Sequence, residues 1–91
     1  MQLYLTDFLC FLNIADPCYL QSEAYNTDVI DLQYPIDNPG NCQQICLHSK
    51  ECLFWSYNYD NKKCWRHKAN AAGNTHFCGG CTGGPRYCEG M

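Results

Sequence analysis

The sequence is short of positive charge and of long apolar runs, and both shortages exclude classes of protein. Its six Lys and Arg are scattered among nine Asp and Glu, which gives a formal net charge of −3. A nucleic-acid-binding domain needs a basic stripe that displaces counterions from phosphates, so this class is excluded. No stretch approaches the roughly 20 consecutive apolar residues that span a bilayer, so we predict no membrane insertion.

Motifs for catalysis and for N-glycosylation are also missing. The chain contains neither Gly-x-Ser-x-Gly nor Asn-x-Ser/Thr, and an odd thiol left over from disulfide pairing is the only candidate nucleophile. We interpret His48, His67 and His76 as solvated or hydrogen-bonded loop side chains. The sequence therefore predicts a non-enzymatic protein without a cofactor.

Cysteine, by contrast, is abundant, with nine residues in a chain of 91. A domain of this length buries only about 60 to 65% of the surface that its unfolded chain exposes, so its core alone is marginal. Three disulfides at roughly 2 to 4 kcal/mol each rival the stability of a whole domain, about 5 to 15 kcal/mol. Because a cytosolic chain keeps its thiols reduced, the composition predicts an oxidising compartment.

Local signals predict one helix over about residues 42–49. Asn41 is placed to cap its first turn, and Gln44 three residues later completes a capping-box-like pattern. Cys42 and Cys46 are four residues apart and so share one face of this helix. Two cysteines on the buried face would attach the helix to the structure beneath it.

A β-hairpin is predicted after the helix. Apolar alternation over residues 53–59 indicates a strand, and a tight turn over residues 59–62, where Asp60 and Asn61 tolerate the left-handed conformation, leads to a second strand over residues 63–67. Five glycines between residues 69 and 84 indicate an exposed loop without regular structure.

After Cys18, four segments carry the other five cysteines of a six-cysteine frame: Cys42-Gln43-Gln44-Ile45-Cys46, Cys52-Leu53-Phe54-Trp55-Ser56-Tyr57-Asn58, Cys64-Trp65 and Gly84-Pro85-Arg86-Tyr87-Cys88. Together they resemble the PAN/apple domain family, which occurs in secreted proteases of the blood contact system and in micronemal adhesins of apicomplexan parasites. The resemblance implies an α+β, disulfide-rich fold in which a twisted antiparallel sheet of about five strands cradles the one helix. It also implies three bridges, Cys18–Cys88, Cys42–Cys64 and Cys46–Cys52; sequence alone leaves all 15 connectivities of six cysteines open.

Cys10, Cys78 and Cys81 lie outside this framework. We interpret Cys78 and Cys81, separated by two glycines, as a local pair, and Cys10 as unpaired or bridged to another domain. Cys78-x2-Cys81 also has zinc-ligand spacing, but a second such pair is absent. A redox dithiol needs its first cysteine at a helix N-terminus, whereas the glycines indicate a loop. No metal site is therefore predicted.

Binding is the function that remains. Sugar recognition combines an aromatic face with charged or amide groups, and the candidate ligand-binding residues are Tyr59, Lys63, Trp65, Arg66, His67 and Lys68. Residues 66–68 form a local basic cluster that departs from the family pattern. The alternative interpretation makes Trp55, Tyr57 and Trp65 core side chains under the helix, and leaves Tyr59 and residues 66–68 exposed.

The resemblance implies a non-catalytic, extracellular adhesion module, secreted through an organelle such as the microneme. Its expected partners are a cell-surface glycan or glycoprotein and neighbouring apple domains of the same chain, whose weak contacts add through avidity. A protein-binding surface or a purely structural spacer is the alternative. We expect residues 1–17 to be an N-terminal segment or inter-domain linker, residues 18–88 the domain, and residues 89–91 a tail.

Overall fold

The computed structural model describes residues 18–87, so the predictions for Cys10, for Cys88 and for both terminal segments lie outside the described residues. Within this range the elements, in chain order, are β1 (Glu23–Tyr25), β2 (Val29–Gln33), α1 (Pro39–Leu47), β3 (Phe54–Asn58), β4 (Lys63–His67), a 3-10 turn (Ala69–Ala71), β5 (Thr75–Phe77) and β6 (Cys81–Pro85). Over the same residues, no helix is long and apolar enough to cross a membrane.

In residues 18–87, six strands form two antiparallel sheets, whereas a single sheet of about five strands was expected. The large sheet has the order β2-β4-β3-β6, and β1 pairs with β5 in a two-stranded ribbon. The helix packs on one face of the large sheet, while the ribbon contacts its other face. The α+β class with one helix is confirmed for the part of the chain that the structure describes.

The helix starts three residues earlier than predicted and ends at Leu47. Asn38, not Asn41, is the N-cap, and its side-chain oxygen accepts a hydrogen bond of 2.8 Å from the Asn41 backbone N–H. Pro39 follows at the first helical position, where its lack of an N–H costs nothing because that group has no partner within a helix. The capping-box assignment to Asn41 and Gln44 is therefore wrong.

The core lies between α1 and the large sheet and is built from aromatic side chains and disulfides. Trp55 and Tyr57 of β3 are buried, which confirms their interpretation as core residues. The Trp55 indole N–H donates to the Pro85 carbonyl at 3.0 Å, and the Tyr57 hydroxyl donates to the Ile36 carbonyl at 2.6 Å. Both rings therefore bury their area without leaving a polar atom unpaired.

Two disulfides connect α1 to its surroundings. Cys42 is bonded to Cys64 of β4 with 5.6 Å between Cα atoms, and Cys46 to Cys52 with 5.2 Å. These are the same pairs that the family resemblance implies. Cys18 is also disulfide-bonded, while its expected partner lies outside the described residues.

The hairpin of β3 and β4 follows the predicted strands closely, but its turn differs. Asn58 closes the turn, because its side-chain oxygen accepts hydrogen bonds from the backbone N–H groups of Asp60 and Asn61. The left-handed residue is Lys62, with φ of 61°, rather than Asp60 or Asn61.

The predicted loop over residues 69–84 is wrong, because this segment forms β5 and β6. Strand β6 pairs along the whole of β3, with Gly83 opposite Ser56 and Gly84 opposite Trp55. A Cβ atom on Gly83 would lie 2.5 Å from the Trp55 carbonyl oxygen. Glycine is present here because another backbone approaches closely, not because the chain is a loop.

Candidate ligand-binding cleft between the two sheets

A cleft of about 270 Å³ is lined by residues of both the ribbon and the large sheet. We call it the inter-sheet cleft. It is lined by residues from both sheets: Ala24, Tyr25, Asn26, Val29, Asn58, Trp65, His67, His76, Cys78 and Cys81. Its volume lies just below the range of drug-sized sites, about 300 to 1,000 Å³, so it suits a ligand the size of one sugar ring.

Tyr25 of β1 attaches the ribbon to the large sheet. Its backbone N–H donates to the Ser56 side-chain oxygen at 2.9 Å, and its ring packs on Phe54 with 4.9 Å between centroids. Burial raises the pKa of the Tyr25 hydroxyl, with Glu23 adding to the effect. The hydroxyl therefore stays neutral in all ordinary conditions.

His67 lies at the base of the cleft and is only 1% exposed, which contradicts its expected exposure. Its Nδ1 lies 2.8 Å from the Thr27 carbonyl oxygen, and its Nε2 lies 3.0 Å from the Ser56 hydroxyl. Burial lowers the pKa of the imidazole, although Thr27 and Asp28 oppose this shift. His67 is thus a neutral structural group beneath the ribbon rather than part of a basic surface cluster.

The accessible groups of the cleft are aromatic, aliphatic, amide or imidazole. Trp65 is half-buried, and Asn26 and His76 are exposed. Val29 adds an apolar side chain that is 49% exposed. An aromatic and aliphatic surface beside amide and imidazole groups suits a ligand with one apolar face and several hydroxyls.

Arg66 does not belong to this cleft, because alternation along β4 points it to the face that carries the helix. Its guanidinium forms a two-point ion pair with Asp31 of β2, with Nε donating to Oδ1 at 2.8 Å and the Arg66 NH2 group contacting Oδ2. It also donates to the Ile45 carbonyl at 3.4 Å. The hydrogen bond from Arg66 lowers the pKa of the Asp31 carboxyl. The predicted site thus combined residues from opposite faces of one strand.

The other predicted residues lie apart from the cleft. Tyr59 is 55% exposed and packs edge-on against Tyr57, with 5.4 Å between ring centroids. The Lys63 ammonium lies 5.7 Å from the centroid of the Tyr34 ring, and Lys68 is exposed at the end of β4. Of the six candidate residues, only Trp65 and His67 line the cleft.

Sequence reasoning missed the ribbon's contribution to the cleft. Asn26 and His76 come from three-residue strands and their turns, and such short segments show no apolar period. In the sequence, His76 carries no signal beyond that of a loop histidine. The pairing of Ala24 with His76 is visible only in the folded chain.

A second, shallower groove of about 340 Å³ lies beside the helix. Its lining residues are Pro35, Ile36, Asp37, Asn41, Gln44, Ile45 and His48. It contains no aromatic carbocycle to stack on a ligand, which distinguishes it chemically from the inter-sheet cleft.

Cys78 and Cys81 form a disulfide at the edge of the cleft. Because their sulfurs are bonded to each other, the pair offers no thiolates to a metal ion. Among residues 18–87, no group of three or more His, Cys, Asp and Glu is arranged to hold a metal.

The fold, the helix-attached disulfides and the aromatic core together define the class of this domain. The family model described as PAN domain matches residues 10–88. The chain therefore belongs to the PAN domain family, and this match indicates no catalytic family. The match begins eight residues before the domain boundary expected at residue 18, which stays a prediction.

A solved structure shares this fold. It is the solution structure ensemble of the two N-terminal apple domains of microneme protein 4 from Toxoplasma gondii, with a TM-score of 0.64 and 23% sequence identity. The match covers 76% of the present chain and 44% of that two-domain chain. No curated protein sequence matches the chain significantly.

Proposed function

We propose that this domain is a non-catalytic adhesion module of a secreted protein, and that it binds a glycan or glycoprotein of a cell surface in the inter-sheet cleft. The observation that carries the proposal is the half-buried Trp65 ring beside the exposed amide of Asn26 and the exposed imidazole of His76. The fold similarity to apple domains of a microneme protein supports an adhesive role. The disulfides support an extracellular location, and we propose storage in a secretory organelle such as the microneme before release.

Binding in such a small cleft is expected to be weak for a single module. A site that covers one sugar ring offers few contacts, and exposed polar groups exchange bonds to water for bonds to ligand with little net gain. Tandem domains overcome this by raising the effective concentration of the second site. We therefore propose that the module acts beside sibling domains in its parent chain.

The first test is a glycan array probed with a multivalent form of the refolded domain. The proposal predicts selective retention of one terminal sugar. His76→Ala and Asn26→Ala, which remove exposed groups of the cleft, are each expected to weaken this retention by up to about tenfold, because the small loss at one site is multiplied over the sites of a multivalent form. A blank array with wild-type protein would contradict the sugar-binding form of the proposal.

Matched controls come from the surfaces that the proposal leaves out. His48→Ala removes an exposed histidine of the helix-side groove, and Tyr59→Ala removes an exposed aromatic residue outside both cavities. Neither is expected to change retention by more than about twofold. If His48→Ala weakened binding as much as His76→Ala, the ligand would occupy the other groove.

A protein-binding or spacer function is the second candidate. It is favoured by aromatic side chains that stand in solvent, namely Phe77 at 79%, Tyr34 at 63% and Tyr87 at 60% exposure. Exposed aromatic residues are enriched in the cores of protein interfaces. A Phe77→Ser variant that lost association with a neighbouring domain while keeping sugar retention would support this function beside the first.

A further inference from the structure

His67 occupies the junction of the ribbon and the large sheet, and the hydrogen bonds around it fix its protonation state. The Thr27 carbonyl can only accept, so Nδ1 carries the proton of that 2.8 Å hydrogen bond. The Ser56 oxygen already accepts from the Tyr25 backbone N–H, so its hydroxyl proton is free to be donated to Nε2 at 3.0 Å. The neutral Nδ1-H tautomer therefore satisfies every polar atom of the network.

Protonation of Nε2 breaks this arrangement. The Ser56 oxygen then has to accept from both Tyr25 and His67, and its own hydroxyl proton loses its acceptor. The imidazolium is also a charge in a site that is 1% exposed, which is costly without a paired carboxylate. Opening the ribbon gives water to both groups and removes the penalty.

The charged neighbours do not supply that paired carboxylate. The titratable and charged groups on the elements around His67 come from β1, β2, β4, β5 and the turns beside them. In chain order they are Glu23, Tyr25, Asp28, Asp31, Lys63, Arg66, Lys68 and His76. Asp31 is bound to Arg66, and the Glu23 carboxylate accepts from the Thr75 hydroxyl at 3.0 Å. Asp28 favours the protonated imidazole, but burial outweighs it.

The ribbon is the element best able to respond. Its strands β1 and β5 have three residues each, whereas each strand of the large sheet has five. Short ladders open at a lower free-energy cost than the global unfolding of a domain. The Tyr25 N–H to Ser56 bond and the Tyr25 ring contacts on Phe54 and His67 lie next to the titrating group.

We propose that His67 is an acid-sensitive latch, by which we mean a buried group whose protonation loosens the ribbon from the large sheet and opens the inter-sheet cleft. The closed state holds the imidazole with a lowered pKa, so it excludes the proton that the open state accepts at the ordinary histidine pKa of about 6.5. Opening therefore becomes easier as pH falls below that value. The effect on ligand release rests on the proposed function, whereas the opening itself does not.

Amide hydrogen exchange followed by NMR between about pH 7.5 and about pH 5 tests the latch without any ligand, across the ordinary histidine pKa. After correction for intrinsic exchange, protection of the Tyr25 amide is expected to stay below that of the β3–β4 ladder at every pH, because the ribbon opens without global unfolding, and to fall by up to about tenfold per pH unit, as one linked proton requires. Tyr25 protection equal to that of the ladder at both pH values, Tyr25 protection that does not change with pH, or an imidazole of His67 that titrates with an unshifted pKa would overturn the proposal.

Two variants separate the latch from a general pH effect. His67→Gln keeps a donor and an acceptor but cannot titrate, so the Tyr25 amide is expected to lose its pH dependence. His76→Gln removes the exposed histidine of the ribbon, and in this variant the Tyr25 amide is expected to keep its pH dependence. The opposite pattern would contradict the proposal. If His67→Gln fails to fold, the wild-type exchange data and the His67 titration still decide the question.

Glycan retention measured at both pH values then links the latch to function. We expect the wild-type domain to retain much less glycan at the lower pH. We expect His67→Gln to retain the same amount at both pH values. If the ribbon opens at low pH but the domain retains no glycan at either pH, the proposed function is wrong and the latch proposal still holds. Retention that persists unchanged at low pH while the ribbon opens would show that the cleft is not the binding site.

Discussion

At the scale of single residues, Arg86 shows how one side chain can close a helix. Its guanidinium donates to the carbonyls of Leu47 and Cys52, each at 2.9 Å, and contacts the Ser49 carbonyl. The basic residue of the closing Gly-Pro-Arg segment therefore satisfies carbonyls that the end of α1 leaves unpaired.

Replacing Arg86 with Met keeps the apolar stem and removes these donors. We expect a loss of roughly 2 to 3 kcal/mol in the free energy of unfolding, because several partly buried carbonyls lose a charged partner. Urea unfolding measures it. Lys68→Met, at an exposed position, is the control and is expected to change stability by less than about 0.5 kcal/mol. Equal effects of the two substitutions would contradict the capping role.

The ion pair of Asp31 and Arg66 predicts a specific acid dependence. Because the pKa of Asp31 is lowered in the folded state, its contribution is present above the ordinary carboxyl pKa of about 3.9 and is lost as pH falls through the folded-state pKa. Asp31→Asn is therefore expected to flatten the decline in urea midpoint below about pH 4. Asp37→Asn, at a side chain 79% exposed and 3.9 Å from Lys62, should leave that decline unchanged.

At the scale of elements, the long or strongly patterned segments were predictable and the short or exceptional ones were not. The hairpin strands β3 and β4 have clear alternation, and Lys63–His67 matches the predicted strand. The same alternation places the side chain of Arg66 on one face of β4 and those of Trp65 and His67 on the other face. The predicted strand was therefore inconsistent with a single site that contains all three. The three-residue strands of the ribbon carry too little sequence to show any period.

Strand β6 was missed because its glycines resemble those of a loop, and this yields a test. Gly83→Ala is expected to cost roughly 1 to 3 kcal/mol, since the new Cβ would lie 2.5 Å from the Trp55 carbonyl and the sheet would have to shift. Gly79→Ala, whose Cβ would lie 3.7 Å from the Phe77 ring, is the control. Thermal unfolding compares the two, and a well-tolerated Gly83→Ala would mean that β6 does not pack on β3 as described.

At the scale of the whole molecule, stability depends on a small core reinforced by crosslinks. Loop-closure entropy gives roughly 3 kcal/mol for a bridge spanning 22 residues and roughly 1.5 kcal/mol for one spanning three. The double variant Cys42→Ser, Cys64→Ser is therefore expected to be far less stable than Cys78→Ser, Cys81→Ser. Burial of both sulfurs of the first pair strengthens this order.

Urea unfolding of the two double variants checks this order. Similar losses, or a greater loss from the Cys78–Cys81 pair, would show that the helix does not depend on its bridge to β4. The family resemblance implied this framework from sequence, whereas the inter-sheet cleft arises only when the ribbon folds over the large sheet. Sequence could therefore indicate the scaffold but only part of the site.

The central claim is that ligand binds between the two sheets, and NMR titration of the wild-type domain with its best array sugar tests it most directly. The account predicts saturable shifts of the Trp65 indole N–H and of the backbone amides of Asn26 and His76, with Asn41, Gln44 and His48 unmoved. Shifts confined to the helix-side groove would contradict it.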